Sequence, residues 1–98
     1  MTPSLLSEAQ ITTWLGANAD WLRTGAVLSR SVQLADFPAA IALVVAVADA
    51  AQELDHHPDI DIRYDTVRFE LSTHSAGGLT ALDIDLAQRI SVLAPPSP

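Results

Sequence analysis

The sequence predicts an α+β fold, a four-stranded antiparallel sheet with three helices on one face, in the order α-β-β-α-β-β-α. Three observations carry that prediction. Two stretches alternate apolar and polar residues with period two, three helix-start signals punctuate the chain, and no long parallel crossover intervenes. At 98 residues, residues 1–98 are expected to form a single domain, long enough for one core and too short for two.

The first helix is announced by Ser7 with Gln10 three residues on, the Ser-x-x-Gln capping box, flanked by Leu6 and Ile11 at the staple positions. Ile11, Trp14 and Leu15 follow at helical spacing, and Gly16 and Asn18 are stop signals, so the helix is expected over Ser7 to Ala17. From Trp21 to Leu34 the period shortens around Gly25, which reads as a hairpin. Its second arm, Ala26 to Leu34, puts Leu28, Val32 and Leu34 on one face with Arg30 intruding. Asp36 caps the next helix, Pro38 sits in its first turn, and the helix is expected to run to His56, because His57 precedes Pro58.

That second helix carries two apolar stripes, Ile41, Val44, Val45 and Ala48 on one side and Leu43, Val47, Ala50 and Leu54 on the other. A helix apolar on both sides must be covered on both, and one sheet covers only one, so a second subunit is expected: a homodimer or homotetramer. Next, Ile60, Ile62 and Tyr64 alternate with Asp59, Asp61 and Arg63, and beyond a turn near Asp65, Val67, Phe69 and Leu71 alternate with Arg68, Glu70 and Ser72. Both segments read as strands with one dry face. Gly77 and Gly78 break the pattern, and Thr80 with Asp83 starts a third helix whose inner face is Leu82, Leu86 and Ile90. The chain then leaves through Pro95, Pro96 and Pro98, a tail expected to be mobile.

Composition excludes several functions. The chain is 49% hydrophobic and 17% charged, so it should fold, and its formal charge of −7 is the wrong sign for direct nucleic-acid binding. It contains no cysteine, which removes disulfides, thiolate nucleophiles and Cys-based metal sites. Met1 to Gln10 does not read as a signal peptide, and the longest apolar run, Ala39 to Ala48, is shorter than the about 20 residues that cross a bilayer, so a cytoplasmic location without membrane is expected.

The chemistry concentrates in three histidines. Histidine is the side chain whose ordinary pKa, about 6.5, lets it give and take protons near neutrality. In an antiparallel Ile60–Ser72 hairpin, His56 and His57 lie just before the first strand and His74 just after the second, so all three converge at one open end. Asp55, Asp59, Asp61 and Asp83 are the carboxylates available to orient or charge an imidazole, although Asp83 has a sufficient role as the capping partner of Thr80. Neither His-x-x-x-His nor any Cys/His ligand spacing is present, so no metal site is expected. Gly77-Gly78 lacks a phosphate-loop pattern and is a weak anion signal.

Ala51 to Ile60 with its His56-His57-Pro58, then Tyr64, Val67, Leu71 to His74, Gly77 to Thr80, Asp83 and Leu86-Ala87 closely resemble the pterin-4a-carbinolamine dehydratases. Weaker likeness through Phe37, Trp21 and Leu6-Ser7 extends it over nearly the whole chain. The resemblance implies an enzyme of tetrahydropterin recycling that removes water from a 4a-hydroxytetrahydropterin to give a quinonoid dihydropterin, with no metal or redox cofactor. It implies His56 and His74 as the acid/base pair and His57 as a catalytic-site residue that binds and orients substrate. Asp55 and Pro58, then Ser72, Thr73 and Ser75, would line the pterin pocket, with Asp83 and Gln52 beside it. Gln52 stands where the family commonly has a carboxylate four residues before the first histidine. On a continuous helix it would share a face with His56 and deny that ring the charge that holds its proton. The other reading is a weakly active or non-catalytic module that oligomerises or assembles a protein partner, since some relatives act as dimerisation cofactors or assembly factors.

Overall fold

The computed structural model describes residues 3–96. Met1, Thr2, Ser97 and Pro98 lie outside the described residues, and with them the parts of the N-terminal and tail expectations that fall there. Helix α1 (Glu8–Ala17) starts on the expected capping box: Ser7 Oγ accepts the Gln10 N–H at 3.1 Å and Gln10 Oε1 accepts the Ser7 N–H at 2.8 Å. It ends where Asn18 Nδ2 donates to the Trp14 carbonyl at 2.8 Å. Strands β1 (Leu22–Thr24) and β2 (Val27–Gln33) form a hairpin whose turn holds Gly25 at φ +58. Arg23 pairs with Glu8 through two guanidinium nitrogens, tying α1 to β1.

Helix α2 (Phe37–Leu54) begins as expected, with the Asp36 carboxylate accepting the Ala39 N–H at 2.9 Å and Pro38 in the first turn. Its end differs. The helix stops at Leu54 and not at His56, because Asp55 turns left-handed (φ 51, ψ 40) and its N–H, with that of His56, bonds back to the last turn. Pro58 constrains His57 alone, and so sets only the outer limit of the helix. Strands β3 (Asp59–Arg63) and β4 (Thr66–Leu71) form the second hairpin. Tyr64 is not on a dry strand face: it occupies the turn at φ 53 and is 70% exposed. Helix α3 (Ala81–Leu93) follows a 3-10 turn (His74–Ala76) that the sequence pattern did not announce.

The sheet order is β1-β2-β4-β3, antiparallel throughout. Leu28, Arg30 and Val32 of β2 register with Leu71, Phe69 and Val67 of β4, and Ile60 and Ile62 of β3 complete that face. It joins the inner faces of all three helices in one cluster. The opposite face carries Asp61 beside Arg68 and Asp59 beside Glu70. Full burial of a large apolar strand side chain such as Phe69 or Leu28 contributes about 1.5–3 kcal/mol each, which fixes the strand register. Arg30 is accommodated on the dry face because Nη1 donates to Ser91 Oγ at 3.1 Å and Nη2 lies 3.6 Å from Asp20. On α3 the innermost residues are Asp83, Leu86, Ala87 and Ile90, with Leu82 only half-buried.

The two stripes of α2 have different fates. Ala40, Leu43, Val47 and Ala51 are buried against α3 and β4, whereas Val45 is 55% exposed and Ala42 and Ala48 face outward. By length and composition, at 18 residues and mean hydropathy 1.6, α2 is long and apolar enough to cross a membrane. The Ala39 to Ala48 run understates it, because the helix extends past the run at both ends.

Candidate active site

The ladder of the second hairpin ends at Asp59 opposite Glu70. Continuing the same antiparallel register brings residues 55–57 level with residues 72–74, so the two histidine-bearing segments meet at one end of the sheet. Asp83 ties them together. Its carboxylate is fully buried; Oδ1 accepts the His56 Nε2–H at 2.6 Å, while Oδ2 accepts the Thr73 hydroxyl at 2.7 Å and the Thr80 N–H at 2.9 Å. Because the one Thr73 hydroxyl hydrogen goes to Asp83, the Thr80 hydroxyl donates to Thr73 Oγ1 at 2.8 Å and accepts the Leu82 N–H at 3.2 Å. A buried carboxylate with three donors is compensated where an isolated one would be costly.

Asp83 therefore does two things that the sequence reading set against each other. It caps α3, and it fixes His56 as the Nε2–H tautomer with the ring 90% covered. Of the four carboxylates weighed from sequence, Asp83 is the one bonded to an imidazole. Asp59 and Asp61 lie exposed on the outer face of β3, and Asp55 is the exposed left-handed residue that ends α2.

The left-handed turn at Asp55 overturns one expectation. His56 leaves the helical path, so it does not share a face with Gln52; the ring that folds back is His57, whose Nε2 lies 3.0 Å from Gln52 Oε1. Both of those side chains are exposed. His74 is exposed as well, at the head of a tight loop in which the Thr73 carbonyl accepts from Ala76 and Gly77, and the Thr73 N–H donates to the Gly78 carbonyl. Gly77 sits at φ +75, and a Cβ on Gly78 would come within 3.0 Å of Leu5, so glycine permits both the turn and the approach of the N-terminal segment.

The remaining predicted residues fall around this centre: Pro58 and Ser72 are half-buried, Thr73 is buried, and Ser75 is exposed in the 3-10 turn. Thr80 belongs to the hydrogen-bonded group and was missed as a site residue, its capping motif being the only sequence signal it offers. No group of three or more His, Asp or Glu arranged to hold a metal occurs among the described residues. Cavities of about 290, 190 and 610 Å³ are present, and none of the three is lined by a histidine. Chemically, the arrangement offers two exposed imidazoles and a third oriented by a carboxylate, a set suited to moving protons on a bound ring.

The sequence profile described as Pterin 4 alpha carbinolamine dehydratase matches residues 4–93. A Nocardia farcinica protein provisionally named pterin-4-alpha-carbinolamine dehydratase is 62% identical over 94 residues, covering 96% of this chain and 99% of its own. A Mycobacterium tuberculosis protein of the same provisional name is 43% identical over 90 residues, covering 92% and 96%. Among solved structures, a Brucella melitensis protein described as a transcriptional coactivator/pterin dehydratase superposes with a TM-score of 0.88 at 33% identity, covering 92% of this chain and 98% of its own. A pterin dehydratase-like protein described as a RuBisCO assembly factor in the alpha-carboxysome gives a TM-score of 0.63 at 20% identity, covering 79% and 89%, a likeness of fold alone.

Proposed function

Because the chain belongs to the pterin-4a-carbinolamine dehydratase family, we propose that it removes water from a 4a-hydroxytetrahydropterin by imidazole acid/base catalysis, serving tetrahydropterin recycling. The observation that carries this reading is the buried Asp83 carboxylate, which holds the His56 ring and the Thr73 hydroxyl at once and so binds the two histidine segments into one unit. In the reaction the C–O bond at the carbinolamine carbon breaks as the hydroxyl takes a proton and leaves as water. The adjacent ring nitrogen loses its proton, and the electron pair released forms the C=N bond. One proton enters and one leaves, so two imidazoles in opposite protonation states balance the step. His74 and the Asp83-oriented His56 take those roles, and His57 contacts the pterin.

The test is turnover of enzymatically generated carbinolamine, followed by ultraviolet absorbance. His56→Ala and His74→Ala are each expected to slow it by about 100-fold or more, with circular dichroism verifying the fold. Unchanged rates in both variants would overturn the proposal. A second reading, a weakly active or non-catalytic module whose role is oligomerisation or assembly, is favoured by the exposed apolar side of α2, where Phe37 is 45% and Val45 55% exposed. We propose that another copy of the chain covers this side, giving a homodimer or homotetramer.

A further inference from the structure

His56 and His57 have different partners, and the difference at His57 is chemical. His56 is held by a buried anion, whereas His57 folds back over the last turn of α2 onto Gln52, an amide that accepts a hydrogen bond and does not titrate. With Gln52 Oε1 as the acceptor, His57 Nε2 carries the hydrogen, and Nδ1 is left with its lone pair. One structural detail makes this contact: Asp55 takes the left-handed conformation that ends α2, and the His57 ring returns to the residue five positions earlier.

We propose that Gln52 is a positioning residue that fixes the His57 tautomer, so that His57 reads an N–H donor of the bound ring through Nδ1. This rests on the dehydratase reading for its substrate. The 2-amino-4-oxo ring of a pterin carries such donors, and a ring reporting them through a fixed acceptor selects against analogues in which the donor is absent or replaced by an acceptor. Gln52 thus acts on substrate affinity, and the proton transfers stay with the other two rings.

Two measurements test this independently of each other. Long-range proton–nitrogen correlation spectra of the free protein at about pH 8, where an ordinary imidazole is neutral, should show His57 as the Nε2–H tautomer, and Gln52→Met should shift it toward a mixture. In steady-state kinetics Gln52→Met should raise KM about three- to tenfold with kcat little changed, and Gln52→Glu, which keeps an acceptor oxygen, should restore the parent KM. An Nδ1–H tautomer in the parent, or a Gln52→Met variant that lowers kcat at constant KM, would overturn the inference. If the parent turns over no carbinolamine, the dehydratase reading fails while the spectra still decide the role of Gln52.

Discussion

At the scale of single residues the decisive group is Asp83. Three donors converge on its buried carboxylate, so replacing it by Asn puts an NH2 where an oxygen accepted and leaves at least one donor facing another. Asp83→Asn is expected to cost about 2–4 kcal/mol in urea denaturation, and a loss under about 0.5 kcal/mol would show that the network does not hold the two segments. Glu8 offers a pH-dependent counterpart at the surface. The Arg23 guanidinium that bonds Glu8 holds its carboxyl below the usual carboxylate range. Its contribution is therefore complete above the ordinary glutamate pKa and disappears as pH falls through the lowered one. Acid titration of the parent should lose this increment in that window, and Glu8→Gln should flatten it; identical acid profiles would count against the pairing. The sequence exposed Asp83 as a cap partner because capping is local, over three residues. Its bond to His56 spans 27 residues, and no local pattern reports it.

At the scale of elements the two non-glycine residues with positive φ among the described residues matter most. Asp55 tolerates the left-handed region better than most side chains do, and its turn decides which histidine meets Gln52. Tyr64 tolerates it less well, and its exposed ring contributes little burial to offset the strain. Tyr64→Asn is expected to stabilise the fold by about 0.5–1 kcal/mol, read as a higher melting midpoint; an unchanged or lower midpoint would mean that the ring has a contact worth more than the turn preference. The caps at Ser7, Asp36 and Thr80 were legible because they need only a short polar side chain at a fixed offset from an apolar run. The end of α2 was not, since no glycine marks it and the left-handed residue is an aspartate.

At the scale of the whole molecule the unresolved demand is the outer stripe of α2. The chain buries Leu43 and Val47 by itself and leaves Ala42, Val45 and Ala48 exposed, which is the ground of the proposal that a second copy covers this side. Sedimentation velocity at micromolar concentration should show a dimer or tetramer for the parent and a smaller species for Val45→Glu. A monomeric parent would remove the argument from two-sided burial.

What the sequence by itself determined is what depends on near neighbours: hydrophobic periods, capping offsets and turn residues act over a few positions, and they set the element order and bring two histidine segments to one sheet end. Which ring is buried, which two are exposed and which partners His56 and His57 take was decided only in three dimensions. Those outcomes turn on one backbone dihedral at Asp55 and on a carboxylate arriving from α3, both of which arise when distant segments pack together.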